Sequence, residues 1–291
     1  MRTKAVAVEI QVLLPLIFPF GSQFTFTQAS PSHTMVYVAV AGGHGGVGRT
    51  TLEVLQESSD HKTFVLSRKS GSKDGRTIQV DYTDAEQLVS VLEAHAIHTV
   101  LSQLEDYFKA IEVLRQSDLQ WTVFLNGIFL DYFGPSTLRF YLKPNVFVMD
   151  RKNKVAGIPG DGEAKVTFTY TFDLALYVVA MLDVEDWPEE SRVIGDTVTW
   201  NVFVRLAEEI CRCHFEVHYD SVEKLKRFEI TELPGHQALY QHLPKRAFQW
   251  FMSIFELYTL DGSSCATTQG SLNERFPDIQ PLTAALVVKY K

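Results

Sequence analysis

Three glycines with the spacing GxxGxxG, Gly42, Gly45 and Gly48, follow an apolar, β-branched run and open a helical pattern. In such a turn the first glycine leaves the strand in a conformation that a Cβ resists. The second lets the backbone approach a pyrophosphate, and the third lets helix and strand pack closely. The phosphates would lie at the helix N-terminus, where N–H groups and the helix dipole favour anions. We therefore expect a dinucleotide site that includes Gly46 and Val47, against the alternative of a purely structural turn.

The residues after the next predicted strand indicate which dinucleotide would bind. Residues 63–66 lead into Ser67, Arg68 and Lys69, where a site for NAD normally places an acidic residue on the ribose 2′-hydroxyl. Two cations and no carboxylate suit a 2′-phosphate instead. NADPH (or NADP) is therefore favoured over NADH, and the alternative is that Arg68 and Lys69 are solvated loop charges.

Two later strand ends supply further candidates for cofactor binding. Asp81 follows a third predicted strand, residues 77–80, and would lie near the adenine. Ser102 and Gln103 follow a fourth, residues 98–101, and would lie near the nicotinamide ribose.

The elements that would position these residues alternate between strand and helix. Residues 83–86 form a capping box for one helix, and a second helical pattern contains Phe108 and Leu114. The strand-like run 121–125 then stops at Asn126-Gly127, a turn signal. This alternation predicts an α/β fold, a Rossmann-type doubly wound parallel sheet, with a smaller mixed α/β C-terminal substrate lobe.

The second part of the chain predicts that lobe. Residues 165–172 alternate as a strand, and Asp173 can cap a helix that packs back on the first domain. Residues 200–211 form an amphipathic helical pattern, and residues 239–260 are helical and rich in aromatic side chains. We place the NAD(P)-binding domain at residues 35–190 and the substrate lobe at residues 191–291.

The first 34 residues are expected to lie outside the fold. Arg2 and Lys4 precede the apolar stretch 12–20, which is too short to span a bilayer and is followed by Ser/Thr-rich residues. Met35 stands directly before the first expected strand. We interpret residues 1–34 as a dispensable extension of a cytoplasmic protein, and a secretory leader is the alternative.

Composition limits the partners. The 291 residues carry a formal net charge of −8, which argues against nucleic acid, because phosphate binding needs a basic face. The three cysteines lack the spacing of a metal site, and the HxxH of His95 and His98 stands without other ligands, so no metal is expected. The expected partner is a small-molecule substrate, and no membrane is involved.

With these residues, the chain resembles the NmrA-like and isoflavone-reductase-like branch of the atypical short-chain dehydrogenases, most of all the fungal members. The resemblance covers nearly everything after Met35. The matching segments stand in the expected order: AGGHGGVG at 41–48, SRK at 67–69, KAIEVLRQSDLQWTVFLNGIFLDYFG at 109–134, GDG at 160–162 and FPDI at 276–279. The resemblance implies NADPH in the first domain and a variable small-molecule pocket between the domains.

The resemblance also implies a catalytic residue. Reductase members use a lysine near the nicotinamide in proton handling, in place of a Tyr-xxx-Lys pair, and no YxxxK occurs here. Lys109 looks like that lysine, and its alternative is an exposed helix residue paired with Glu105 or Glu112. The function implied is NADPH-dependent reduction of a small metabolite. The alternative is a non-catalytic, NADP(H)-binding redox sensor that regulates a partner protein.

The chain departs from the family pattern at one place. Family members usually have a further helix and strand, carrying a Phe-x-Pro-Ser-like segment, between the fourth strand and the lysine helix. Here Leu104-Glu105-Asp106 connects these elements almost directly. The sheet would then either pair its flanking strands or keep a defect near its centre. This gives a third hypothesis, an inactive truncated form that keeps the cofactor loop.

Overall fold

A parallel sheet forms the centre of the first lobe in the computed structural model, which describes residues 4–8, 35–69, 75–103, 107–143, 145–241 and 243–289. Numbered along the whole chain, its seven strands among these residues are β1 (Lys4–Val8), β2 (Tyr37–Ala41), β3 (Lys62–Ser67), β4 (Thr77–Gln79), β5 (Thr99–Gln103), β6 (Gln120–Leu125) and β11 (Glu190–Arg192). Their order is β11-β6-β1-β5-β2-β3-β4, and every neighbouring pair is parallel.

Helices cover both faces of this sheet. The helices of the first lobe are α1 (Gly46–Ser58), α2 (Ala85–Ala94), α3 (Tyr107–Arg115) and α4 (Thr171–Leu182). Val38 and Val40 of β2 share a core with α1 and α4, whereas Ala39 between them packs with α2. On β6, Phe124 belongs to the α4 side and Val123 to the α3 side. The predicted doubly wound α/β fold is therefore confirmed.

Strand β1 corrects the expectation for the N-terminal residues. Residues 1–34 were expected to lie outside the fold, yet Lys4–Val8 pairs with β5 on one side and β6 on the other. At the place where the sequence analysis expects a gap, β5 and β6 are neither paired with each other nor left with a defect, because β1 lies between them. The physical reason is that a strand from anywhere in the chain can supply the missing backbone hydrogen bonds. Residues 1–3 and 9–34 lie outside the described residues.

Two small sheets and five helices build the second lobe, as far as the described residues go. One sheet contains β7 (Ile128–Phe129), β10 (Lys165–Thr169) and β12 (Asp196–Thr199), and the other β8 (Met149–Asp150), β9 (Val155–Pro159) and β13 (Glu216–Asp220). The helices are α5 (Trp200–Cys211), α6 (Val222–Lys226), α7 (Lys245–Leu260), α8 (Leu272–Arg275) and α9 (Ala284–Lys289), with 3₁₀ turns at Leu130–Phe133 and Pro234–Gln241. Aromatic rings fill its core, with Phe133 4.9 Å from Phe203 and Phe168 5.2 Å from Trp200.

The two cores do not divide at the predicted boundary between residues 190 and 191. The core of the second lobe already includes Ile128, Phe133 and Val166, and Val193 and Leu272 belong to the core of the first. After β6 the chain enters the second lobe. It returns to the first lobe to form α4 and β11, and then enters the second lobe again. No single boundary in the sequence separates the two lobes. The periodicity of a segment shows whether it forms a helix or a strand, but not which lobe it packs against.

Two helix caps also differ from the sequence prediction. Asp84, and not Thr83, is the N-cap of α2 and accepts a hydrogen bond from the Gln87 N–H at 2.9 Å. The N-cap of α4 is Tyr170, and Asp173 lies in the first turn of the helix. The Asn126-Gly127 turn signal is confirmed, since β6 ends at Leu125 and Gly127 has a φ of +67°.

A pair of buried carboxyl groups lies in the second lobe. Asp220 accepts hydrogen bonds from the Thr231 N–H and hydroxyl at 2.6 and 2.7 Å and from the Lys224 ammonium at 2.5 Å. Glu256 on α7 is buried beside it, and this burial, together with the charge of Asp220, raises the pKa of Glu256 well above its ordinary value. Both effects favour the neutral form of Glu256, which can donate a hydrogen bond to Asp220.

We expect Glu256→Gln to weaken the dependence of the free energy of unfolding on pH. In the unfolded chain Glu256 ionises near its ordinary pKa of 4.5, whereas burial in the fold raises that pKa. The contribution of neutral Glu256 to the free energy of unfolding is therefore complete below pH 4.5. It falls as the pH rises toward the folded pKa, by about 1.4 kcal/mol per pH unit for one proton. Glutamine stays neutral and can still donate to Asp220. Denaturant unfolding across the acidic to neutral range should show the difference, and equal slopes in parent and variant would contradict a protonated Glu256.

No helix among the described residues is both long and apolar enough to cross a membrane.

Candidate dinucleotide site

The turn between β2 and α1 requires glycine at two of its three predicted positions. Gly42 has a φ of +71°, in the left-handed region that disfavours a Cβ. A Cβ on Gly48 would lie 2.5 Å from the Gly42 oxygen, a distance that real Cβ atoms do not reach. Gly45 donates its N–H to the same oxygen at 2.9 Å, but a Cβ on Gly45 would meet that oxygen at an ordinary 3.4 Å. The backbone conformation therefore explains Gly42, and packing explains Gly48. No contact among the described residues requires a glycine at Gly45.

Helix α1 begins without a side-chain cap. Its N-cap is Gly45, and its first turn contains no acidic residue. The Arg49 N–H bonds the Gly45 oxygen at 2.6 Å, so the N–H groups of Gly46, Val47 and Gly48 precede the hydrogen-bond ladder of the helix. Uncapped N–H groups at the positive end of a helix dipole suit an anion such as a phosphate.

Arg68 and Lys69 follow the carboxyl end of β3, directly beside this turn. Strand β3 pairs with β2, with Leu66 opposite Ala41, so both strands end at the same edge of the sheet. The side chains of Arg68 and Lys69 are exposed. The structure thus brings the two predicted cations to the edge that carries the glycine turn, where a dissolved anion can reach them.

Tyr82 joins β3 to the glycine turn. Its hydroxyl donates to the Leu66 oxygen at 2.9 Å. Burial raises the pKa of Tyr82. Two smaller effects lower this pKa: a hydrogen bond from the Gly42 N–H to the hydroxyl oxygen, and the nearby charge of Arg68. Sequence reasoning missed this contact of Tyr82 with the turn, because the two segments lie far apart in the chain.

Asp81 is exposed and forms a local turn. Its carboxylate accepts hydrogen bonds from the hydroxyl and the N–H of Thr83 at 2.7 and 2.9 Å, and these bonds lower the pKa of Asp81. The turn leads into the N-cap of α2. Contact between Asp81 and an adenine stays a prediction.

The residues predicted on the nicotinamide side lie at the end of β5 and on α3. Ser102 is half-buried near the end of β5, which pairs with β2 through Leu101 and Val40. Lys109 is the third residue of α3. The side chains of Gln103 and Lys109 lie outside the described residues. The roles of these residues therefore stay predictions.

A segment that sequence reasoning missed lies against the first turns of α1. The Arg49 guanidinium stacks 3.8 Å from the centre of the Tyr141 ring, and a Cβ on Gly46 would lie 2.7 Å from Leu142. Arg139 pairs with Glu53, and with Glu57 at 3.1 Å. Residues 139–142 therefore form a wall beside the helix N-terminus, and no local sequence signal predicts a contact between segments this far apart.

Two buried carboxyl groups meet the start of α4. Asp131 accepts from the Thr171 hydroxyl and N–H at 2.5 and 3.0 Å, and Asp173 accepts from the Leu282 N–H at 2.7 Å. Burial raises the pKa of Asp131 to about 6. Burial, with the charge of Asp131 as a further contribution, raises the pKa of Asp173 to about 7. These groups connect the lobes, since Asp131 lies just after β7 and Leu282 just before α9.

No protein-family model matches this chain. Among curated proteins, it is 28% identical over 299 residues to Oxidoreductase BOA1 of Botryotinia fuckeliana, an alignment that covers 85% of this chain and 96% of that protein. It is 27% identical over 284 residues to Oxidoreductase swnN of Metarhizium robertsii, covering 71% of this chain and 83% of that protein. The chain is thus similar over most of its length to two proteins named oxidoreductases.

Solved structures resemble the fold at lower sequence identity. AtPrR2 in its apo form has a TM-score of 0.62 and 17% identity, covering 87% of this chain and 99% of that one. The leucoanthocyanidin reductase of Vitis vinifera in its binary complex with NADPH has a TM-score of 0.61 and 13% identity, covering 87% and 98%. At these identities the likeness shows a shared fold.

Proposed function

We propose that this chain is an NADPH-dependent oxidoreductase that reduces a small metabolite, of the isoflavone-reductase-like and NmrA-like type. The observation that carries the proposal is Gly45, for which no contact among the described residues requires a glycine, at the uncapped start of α1. A pyrophosphate lying against the turn would explain its missing side chain. The similarity to Oxidoreductase BOA1 and the fold shared with an NADPH complex support the same function.

In this proposal the residues divide between the two halves of the cofactor. The N–H groups of Gly46, Val47 and Gly48 hold the pyrophosphate, Arg68 and Lys69 hold the 2′-phosphate, and Asp81 lies beside the adenine. Ser102 and Gln103 hold the nicotinamide ribose. When bound, NADPH supplies the hydride. Lys109 handles the proton at the substrate atom that gains charge.

We expect replacing Arg68 and Lys69 by serine to weaken NADPH binding about 10²- to 10⁴-fold, because each of the two hydrogen bonds to a charged group contributes about 1.5–3 kcal/mol. Binding of NADH, which has no 2′-phosphate, should change little. The measurement is the shift in melting temperature of the full chain with NADPH, NADP and NADH, since a ligand at ~100 times its Kd adds nearly 3 kcal/mol of stability.

Lys62 provides the matched control for these cations. It lies at the opposite end of β3, where its ammonium contacts the Tyr37 hydroxyl at 3.1 Å, so Lys62→Ser should keep the NADPH preference. A parent chain that responds equally to NADPH and NADH would refute the 2′-phosphate assignment. A parent that responds to no nucleotide would refute the dinucleotide site itself.

We expect Lys109→Ala to lower turnover about 10²- to 10⁴-fold while leaving the NADPH-induced melting shift in place, because a group that only moves a proton does not hold the cofactor. Loss of NADPH absorbance with carbonyl-containing and conjugated substrates measures turnover. Glu112→Ala on the same helix controls for an effect on α3. Unchanged turnover in Lys109→Ala would show that this residue is not the acid or base.

A further inference from the structure

Strand β1 occupies an interior position in the nucleotide-binding sheet. All five of its residues pair on both sides, from Lys4 opposite Thr99 and Gln120 to Val8 opposite Gln103 and Phe124. Strand β6 is the next strand after β5 along the chain. In the sheet, however, the N-terminal strand β1 lies between them. The segment thus lies at the place where the chain departs from the family pattern.

The residue types of β1 suit that position. After Lys4 the strand contains only alanine and valine, and interior strands of parallel sheets are near-continuous apolar runs because both faces are buried. Residues 9–36 connect β1 to β2, which is more than the dozen or so residues that a parallel crossover needs. Both the composition and the length of the connection therefore allow the pairing.

The carboxyl end of β1 lies at the nicotinamide side of the proposed site. Ala7 is opposite Ser102 and Val8 is opposite Gln103, so the backbone of β1 supports the end of β5 on the side away from β2. The glycine turn and Arg68 lie on the other side of β5, along β2 and β3. The nicotinamide half of the site therefore depends on β1 more than the adenosine half does.

We propose that Lys4–Val8 is an integral strand of the nucleotide-binding sheet, which replaces the strand expected between β5 and β6 and positions the nicotinamide half of the site. The second part of this inference rests on the proposed function. The first part does not, because it concerns the fold without nucleotide. The positioning acts through the backbone of β5, and no direct contact of β1 with the substrate is implied.

Hydrogen exchange on the full chain without nucleotide tests the strand directly. We expect the amides of residues 4–8 to be protected at least about 100-fold over an unfolded chain and to exchange together with those of β5 and β6, because interior ladders open only with the sheet. Exchange of residues 4–8 at the unfolded rate, with β5 and β6 still protected, would overturn the proposal.

A proline in β1 tests the effect on the site. Val6→Pro removes a ladder donor in an interior strand and should lower the melting temperature, whereas Arg2→Pro, before the strand begins, should not. We expect Val6→Pro to weaken NADPH binding at least about tenfold more than binding of 2′,5′-ADP, which carries only the adenosine half. Equal effects of Val6→Pro on the two ligands, or a melting temperature equal to that of Arg2→Pro, would overturn the positioning role. If Val6→Pro does not fold while Arg2→Pro does, the integral strand is supported and the alanine-to-glycine variant Ala7→Gly serves for the same ligand comparison.

Discussion

A chain that begins at Met35 is expected to lose cooperative thermal unfolding, although Met35 is where the sequence suggests that the fold starts. The truncation removes β1 and with it both of its ladders, to β5 and to β6. The facing edges of β5 and β6 would then lie about two strand spacings, roughly 9.6 Å, apart, with their backbone groups unpaired.

The expected loss is as large as the stability of a domain. A buried backbone group without a partner costs about 1–3 kcal/mol, and a native protein is stable by only about 5–15 kcal/mol in total. A handful of unpaired groups is therefore enough to unfold the sheet. Closing the gap would instead require repacking Leu101, Val123 and Phe124, which are fully buried on these strands.

The matched control is a chain that begins at Lys4 and so keeps the strand. It should melt at the temperature of the full chain, whereas the chain from Met35 should show no cooperative transition by calorimetry. A Met35 chain that melts cooperatively at the temperature of the parent would mean that residues 1–34 are dispensable, as the sequence by itself suggests.

The second large effect is expected for Gly48→Ala. Its Cβ would lie 2.5 Å from the oxygen and 2.9 Å from the carbonyl carbon of Gly42, so the helix or the turn must move. Overpacking of this kind costs about 1–3 kcal/mol, which lowers the melting temperature by several degrees in a protein of this size. Because the displaced backbone is the proposed phosphate site, the melting shift with NADPH should also be lost.

Gly45→Ala separates the role in the fold from the role in binding. A Cβ at this position meets only the Gly42 oxygen at 3.4 Å, and the backbone is extended with a φ of −94°, which alanine adopts readily. The variant should therefore melt like the parent without nucleotide but gain little stability from NADPH. A full NADPH shift in Gly45→Ala would remove the main support for a pyrophosphate on this turn.

The parts of the site that depend on neighbouring residues could be predicted from the sequence. The conformation of Gly42 and the close approach at Gly48 arise from steric contacts within one turn, so seven residues contain the information. The positions of Arg68 and Lys69 follow from the same logic, because a residue directly after a parallel strand lies at the sheet edge whatever the rest of the chain does. Apolar, β-branched runs likewise identified β2, β3, β5 and β6.

The parts that depend on contacts between distant segments could not be predicted. The hydrogen bond of Tyr82 to Leu66, the packing of Tyr141 on Arg49, and the binding of Thr171 by Asp131 each join residues far apart in the chain. A polar or aromatic residue offers the same groups to many partners, and only the folded arrangement selects one. The same holds for Glu256, whose raised pKa depends on burial beside Asp220.

The sequence by itself therefore determined the glycine turn, the doubly wound class of the sheet and the basic residues beside the turn, because backbone sterics and strand periodicity act over a few residues. Only the tertiary structure decided which segment lies between β5 and β6. An apolar run such as residues 4–8 is equally compatible with a leader and with an interior strand. The choice follows from the unpaired backbone groups that the rest of the sheet presents to it.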